Sequence, residues 1–533
     1  MRLFLIILSL LLLTAAAIAQ PLGEVIGSTY YLNQSNGPSG SRIKVCDDGS
    51  IYVCWMNLFG LYPPAIRHIY YNWRSPEGQW FDDGCQVSEN TGAGYCNLDI
   101  YEGDRGCITY HCGENVIVAI EWDPPGIGFF NYFNAPNELF PQTPEYPGFC
   151  MWPQISIDSN EKIHLFMTEN ADMGPRRFGY TRSEDGGSNW TDLALLDTVM
   201  VISGIVVSSP VSDRVAICYL HPDDTTSQMF NWPYYIISED GQTWDFDDII
   251  DVPYPFQPNF DLWAYANLEA IFDYNDQLHL AWPVYGEGYD WLLHYSDDSD
   301  TIEVITQIPD TTDNHPIWEL LIGKASLSRD ASSNALVASW GQYAVGDTNI
   351  NGIYNGDIYL SRSNDLGLTW QEPLNITNTP SPDCLPGDCM SELYPCAAEE
   401  ADSMPHITYI FDPFIQPEPS PTSPALVMYI GPDHLVDIEP PIENIPRNYS
   451  LAQNYPNPFN ASTTIKYDLP KRSNVTIDVF DILGRKVETF NSSVQTPGSH
   501  SVVWNALGLG SGIYFYKIQA GNYVQTRRCM LIK

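Results

Sequence analysis

The sequence predicts an all-β protein: a seven-bladed, alternatively six-bladed, β-propeller followed by a small C-terminal immunoglobulin-like β-sandwich. Three observations carry this. Short apolar strands and turn residues alternate along most of the chain, a Ser-x-Asp-Gly-Trp turn recurs three times, and the charge changes sign near residue 448.

The chain opens on a predicted signal peptide, residues 1–19. Arg2 supplies the positive end, Leu3 to Leu13 the apolar stretch and Ala17-Ile18-Ala19 the small-residue cleavage site, which leaves Gln20 first. The apolar stretch is short for a membrane span, and no comparable run follows, so no transmembrane segment is expected in the mature chain.

Residues 24–432 read as the propeller. Ile155-Ser156-Ile157-Asp158, a polar turn, then Ile163-His164-Leu165-Phe166-Met167 is a hairpin. Ile271 to Trp282 repeats it, and Glu400 to Tyr409 keeps the same acid-to-His spacing. Looser copies end in Trp55, Trp122, Tyr219 and Trp340. With Met167, Trp282 and Tyr409 these mark seven modules of roughly 59 residues, a little above the roughly 40–50 residues of common propeller repeats. Each is followed by a third strand, such as Ile69–Trp73, Gly128–Tyr132 or Arg177–Tyr180. Radial repetition of four-stranded sheets leaves no long free edge. Ring closure pairs Ser28–Leu32 with the last module near Ala425–Ile430.

The recurrent turns are Ser183 to Trp190 (with Asp185 and Gly187), Ser238 to Trp244 (with Asp240, one residue shorter) and Ser363 to Trp370 (with Asp365 and Gly367). Ser and Asp bond the turn's own backbone, Gly supplies positive φ, and the Trp packs back over the turn. These acids are turn-holders rather than catalysts.

Lys plus Arg is 24 and Asp plus Glu is 66. The segment from Asn448 holds nine basic and four acidic residues; setting Arg2 aside, the rest holds 14 and 62. So acidic a body excludes nucleic acid and anionic membrane as partners, and makes cations or neutral sugars easier ones. No cofactor is expected, unless loosely held Ca²⁺: Asp297, Asp298 and Asp300 offer oxygens, against the blander reading of an exposed turn. His164, His279 and His406 recur at one strand position, where the first module has Tyr52; that is a packing position before it is a metal site. Of 12 Cys, the pairs Cys384/Cys389 and Cys107/Cys112 are close enough in sequence for disulfides in an exported chain.

A Pro-rich linker, residues 433–448, carries Pro440, Pro441 and Pro446. Residues 449–533 then alternate as strands (Thr463–Tyr467, Asn474–Phe480, Ser499–Trp504, Gly512–Ile518), the pattern of a small antiparallel sandwich.

Two resemblances follow. The turns resemble the Asp-box (BNR) repeats of sialidase-like propellers, with Asn189 in place of Thr and one residue missing in the second box. That implies outer-rim positions for Asp185, Asp240 and Asp365. Residues 449–533 resemble the type A sorting domain of the type IX secretion system, through Asn454-Tyr455-Pro456-Asn457-Pro458-Phe459-Asn460, Asp481-Ile482-Leu483-Gly484-Arg485-Lys486-Val487, Trp504-Asn505 and Ser511 to Tyr516; Ala461 replaces the family's Pro. This implies engagement of the type IX machinery and a secreted or cell-surface protein.

No GxSxG, HExxH, P-loop or dinucleotide fingerprint stands out. A sialidase needs three arginines for a carboxylate, a Tyr–Glu nucleophile and an Asp acid. Arg42-Ile43 is followed by Lys44 where the family has Pro, and no second motif selects Arg42, Arg214 and Arg329 as an axial set. The favoured reading is a non-catalytic propeller that binds an extracellular glycan or protein. Its contact surface lies in the aromatic stretch Trp122 to Phe140, with Trp122, Phe129, Phe130 and Tyr132 as the ligand candidates. The alternative is an extracellular glycoside hydrolase of the same fold; acidic residues are too numerous for spacing to choose a catalytic pair.

Overall fold

The structure, a computed structural model, describes residues 21–435 and 449–532, except 36, 38–39, 60–65, 90–91, 140–147, 171–174, 224–229, 255–261, 265–266, 287, 310–319, 416–422, 455, 470–472, 496–497 and 522. The signal peptide and nearly all of the linker lie outside the described residues.

The described part is all-β apart from one short 3₁₀ turn at Pro432–His434. After β1 (Glu24–Thr29) the strands form antiparallel quartets. The first is β2 (Ile43–Val45), β3 (Ile51–Phe59), β4 (Ile66–Arg74) and β5 (Cys85–Gln86), and the second β6 (Ala93–Tyr101), β7 (Arg105–Cys112), β8 (Asn115–Glu121) and β9 (Phe130–Ala135). The third is β10 (Cys150–Ile157), β11 (Ile163–Glu169), β12 (Arg176–Ser183) and β13 (Ala194–Val199), and the fourth β14 (Gly204–Ser208), β15 (Val215–Pro222), β16 (Asn231–Ser238) and β17 (Ile250–Asp251). The fifth is β18 (Glu269–Phe272), β19 (Leu278–Gly286), β20 (Tyr289–Ser296) and β21 (Thr301–Pro309), and the sixth β22 (Ile322–Asp330), β23 (Leu336–Thr348), β24 (Tyr354–Ser363) and β25 (Leu374–Asn375). The last is β26 (Glu392–Asp402), β27 (Met404–Phe411) and β28 (Ala425–Ile430), completed by β1, which pairs Glu24 with Tyr429 and Thr29 with Ala425.

The first strands touch in a closed cycle, β2–β6–β10–β14–β18–β22–β26–β2. β22 and β26 also pair directly, parallel, through Arg329–Glu400 and Asp330–Ala401. Apolar clusters fill the gaps between successive sheets: Cys107, Val118, Leu165 and Met167 between the second and third, and Val53, Trp55, Ile410 and Tyr429 between the last and the first. This explains the strand pattern. β11 and β27 are buried at every position because a neighbouring sheet covers each face, so they read as continuous apolar runs, whereas β13 at the rim is mostly half-exposed. Trp55, Trp282 and Trp340 are fully enclosed, each removing enough apolar surface to contribute about 2–3 kcal/mol.

One module is out of register with the sequence reading. In the second sheet Trp122 follows the third strand, not the second, and the predicted third strand around Phe130 is the fourth. The true second strand is β7, whose Ile108-Thr109-Tyr110 repeats the Ile407-Thr408-Tyr409 ending of the last module; in the sequence reading the more conspicuous Trp after the next strand stands in its place. The recurrent histidines do not converge. His164 bonds Tyr180 Oη (2.7 Å) and Asp158 (3.3 Å), His279 bonds His294 (3.1 Å), and His406 bonds Tyr429 Oη (2.7 Å) and Asp402 (3.4 Å), each within its own sheet. Asp402, not Glu400, is thus the acid beside His406. Cys384 and Cys389 are joined by a disulfide; Cys107 and Cys112 sit toward opposite ends of β7 and are not joined to each other.

The tail forms two sheets: β29 (Ser450–Leu451), β30 (Ser462–Leu469) and β33 (Gly498–Asn505); and β32 (Lys486–Gln495), β31 (Ser473–Asp481), β34 (Gly512–Ala520) and β35 (Tyr523–Leu531) in that spatial order. Its core includes Phe459, Ile477, Trp504 and Tyr516. Asn454 holds the domain's entry: its amide N donates to Tyr516 Oη (2.8 Å) and its side chain to Thr463 Oγ1 (2.9 Å).

Candidate ligand-binding mouth

The ring's two ends are built differently. At one end four of the seven first strands begin with a bulge. The register slips between Gly94 and Asn97, Met151 and Gln154, Gly323 and Ser326, and Leu393 and Cys396. Inside each bulge one residue is left-handed: Tyr95 (φ 52°), Trp152 (φ 51°), Lys324 (φ 54°) and Tyr394 (φ 52°). Asn267 (φ 80°) precedes β18 in the same way, and Gly40 (φ 67°) precedes β2. A side chain in this region costs of order 1–3 kcal/mol, and such strain gathers at ligand sites, where a bulge re-aims a side chain.

A cavity of about 500 Å³ opens at this end. Arg176, Asn267, Lys324, Tyr343, Glu392 and Tyr394 are among the residues that line it. Lys324 Nζ lies 5.5 Å above the Tyr394 ring. Asn33, Ser35 and Gly37 line the cavity, and a Cβ on Gly37 would come within 2.7 Å of the Ile202 carbonyl.

Glu392 is buried at 1 % exposure and its carboxyl is pushed up to about 8, by burial first and then, among the raising influences, by Asp357. Thr379 Oγ1 bridges two acids: it lies 2.9 and 3.1 Å from the two Glu392 oxygens and 3.2 Å from Asp357 Oδ1, and its bond to Glu392 works against the upward push of burial. Asp357 also accepts from Asn375 Nδ2 (2.9 Å), Thr377 Oγ1 (3.0 Å) and Thr379 N (3.0 Å).

Beside the cavity stands an aromatic–arginine group. The Arg67 guanidinium lies 5.4 Å over Tyr31 and 5.8 Å over Tyr95, and Nη1 donates to Tyr31 Oη (3.3 Å). Arg176 lies 5.6 Å over Trp152. His111 sits between Tyr95 (5.7 Å) and Trp152 (6.2 Å). It is 2 % exposed, and burial, then the Arg67 charge, push it down to about 3. Gly94 makes room for the pair: a Cβ there would stand 3.2 Å from His111 Nε2 and 3.3 Å from Arg67 Cζ.

At the opposite end of the sheets lie the recurrent turns, each joining a third to a fourth strand. Asp365 accepts from Thr369 N (2.9 Å) and Oγ1 (2.7 Å), while Ser363 Oγ bonds Asp365 and Gly367 N. Asp240 does the same with Thr243 and Ser238. At Asp185 the Asn189 amide replaces the Thr hydroxyl (2.6 Å), and Ser183 Oγ accepts from Gly187 N (2.8 Å). The tryptophans differ from the expectation. Trp190 bonds its own turn at the Gly187 carbonyl, but Trp244 packs on Tyr180 and Trp370 on His294, in the preceding sheets.

Trp122, Phe129, Phe130 and Tyr132 also lie at this far end, away from the cavity. Trp122 (48 %) and Phe129 (61 %) are exposed, with rings 5.7 Å apart; Phe130 is buried at 7 % and Tyr132 Oη bonds Val87 O. Phe140 lies outside the described residues. Arg214 is held by Glu239, Asp276 and Asp297, and Arg329 by Glu399 and Glu400, while Arg42 donates to the Tyr394 carbonyl (2.6 Å); none of the three lines the cavity. Asp297 accepts from Leu278 N and Asp300 from Tyr295 Oη. Among the described residues no group of three or more His, Cys, Asp or Glu is gathered as a metal-ligand set. Sequence reading missed Arg67, His111, Lys324, Glu392 and Tyr394. Extending the module alignment back to the first strands would have put Tyr95, Trp152, Lys324 and Tyr394 in one column.

Residues 453–533 match the secretion system C-terminal sorting domain family. No curated protein matches the chain. Among solved structures, the chain is similar to an ulvan lyase of a polysaccharide lyase family (10 % identity, 73 % of this chain and 93 % of that one, TM-score 0.46). It is also similar to an α-L-arabinofuranosidase of Fusarium graminearum (12 %, 60 % and 92 %, 0.39) and an oligogalacturonate lyase in complex with manganese (11 %, 78 % and 99 %, 0.41). The sorting tail marks the chain for type IX export, so it is secreted or held at the outer cell surface. Among the described residues no helix is long and apolar enough to cross a membrane.

Proposed function

We propose that this is an exported β-propeller of the Asp-box, sialidase-like type, with seven blades, which binds an extracellular glycan in its mouth without cleaving it. Residues 1–19 are its signal peptide, 24–432 the propeller, 433–448 a linker and 449–533 an immunoglobulin-like sorting domain. The reading rests above all on the bulged first strands, whose left-handed Lys324 and Tyr394 line the cavity at a cost in backbone strain. Tyrosine faces and a few polar groups in a concave site suit a sugar, which offers apolar C–H faces and a rim of hydroxyls. This moves the contact surface from the Trp122–Phe129 rim to the mouth.

One observation favours the hydrolase alternative: Glu392 is a carboxylic acid kept protonated near neutral pH, as a general acid must be. Hydrolysis needs a second carboxylate opposite it. Glu392 is the one carboxylate among the described residues lining the cavity, so binding is preferred.

A glycan array probed with the purified protein tests the reading. Binding that is lost in Tyr394→Ala and kept in Trp122→Ala supports it; silence across all glycan classes refutes it. Release of reducing sugar by the wild type, abolished in Glu392→Gln, replaces it with the hydrolase.

A further inference from the structure

Resting on that reading, we infer that the aromatic–arginine group formed by Tyr31, Arg67, Tyr95, His111 and Trp152 is a subsite for an acidic sugar, one carrying a carboxylate or a sulfate. Composition argues the other way, since so acidic a chain repels anions at long range. The local arrangement reverses this.

Nearly every arginine elsewhere in the ring that could face an anion is already taken. Arg177 is held by Glu169, Arg182 by Glu184, Arg214 by three acids, Arg329 by Glu399 and Glu400, and Arg362 by Asp330. Arg67 differs: among the described residues it pairs with no carboxylate, and it lies over two tyrosines. A guanidinium so placed keeps N–H donors of the kind that grip a carboxylate or sulfate at two points.

Two further groups call for a ligand. His111 Nδ1 and Trp152 Nε1 are buried and have no hydrogen-bond partner, although a buried polar atom without one costs about 1–3 kcal/mol. Both belong to side chains packed around Arg67 or next to it. A sugar here would bring hydroxyl groups to those two nitrogens and its acid to Arg67. Arg176, which stacks on Trp152 and also lines the cavity, links this subsite to the main one.

The test is calorimetric titration of the full chain with three probes of matched length: an oligogalacturonate, a sulfated dextran oligosaccharide and a neutral dextran oligosaccharide. At least one acidic probe binds tenfold or more tighter than the neutral one, and the preference shrinks as salt is raised. Arg67→Met weakens the acidic probe by about tenfold or more while leaving the thermal midpoint unchanged, and Arg67→Lys recovers part of the loss. Arg485→Met, on the exposed Asp481 turn of the tail, has no effect. Which acidic probe responds identifies the carboxylate or the sulfate. If a neutral glycan binds and neither acidic probe does, or if Arg67→Met binds the acidic probe as well as the wild type, the inference is overturned and the glycan reading stands. If no glycan of any class binds, both fall.

Discussion

The two ends of the sheets handle polar side chains in opposite ways. At the turn end every recurrent acid closes its bonds within eight residues of chain: Asp365 takes both the backbone and the hydroxyl of Thr369, and Asp240 those of Thr243. Asp240 is accordingly held well below the usual carboxylate range, by the Thr243 amide first. At the mouth Glu392 is driven upward, and His111 Nδ1 and Trp152 Nε1 are left open. A polar group that completes itself locally is holding a turn. An acid pushed toward its neutral form in a cavity wall is available to something outside.

Replacing Glu392 gives the largest test of this contrast. Its folded pKa, about 8, lies above the ordinary glutamate value of 4.5, so between those values the native state holds a proton the unfolded chain releases. Stability therefore falls as pH rises from about 4.5 to about 8. Glu392→Gln should be more stable than wild type by about 1–3 kcal/mol near pH 8, with the gap closing below pH 5, in denaturant titrations across pH. No change in the pH slope would show that Glu392 ionises like a turn acid.

Next comes Asp365→Ala, which should cost about 1–2 kcal/mol by the same titration and leave glycan affinity untouched. An affinity loss there would bring the two ends into one function. The smallest and sharpest change is Lys324→Gly. Glycine relieves the left-handed strain at φ 54° but frees the unfolded chain, so stability should stay within about 1 kcal/mol of wild type, while glycan binding measured by calorimetry drops. A large stability loss would make Lys324 structural instead.

How much was legible in the sequence follows the same divide. The Asp turns and the Asn454 entry of the tail could be read because their partners are close in sequence or belong to one compact motif. The mouth could not, because Arg67, His111, Trp152, Lys324 and Glu392 come from five different strand quartets and are brought to one end only when the ring closes. A bulge also inserts a residue into the period-2 alternation, which erases the pattern where the ligand-facing side chain sits. Trp122 shows the reverse hazard: a conspicuous aromatic in a plausible place drew the register of a module and the contact surface toward the far rim.

The pairing of Glu24–Thr29 with Ala425–Ile430 has a last implication, for assembly. Since opposite ends of the body share one sheet, a chain that emerges amino end first must keep its opening strand waiting until some four hundred residues have followed. Until then the stack is an open crescent with two raw flanks, each able to recruit a foreign strand. The latch that ends this exposure is the final hairpin, so a lesion in β28 should leave molecules that clump although every earlier sheet is sound.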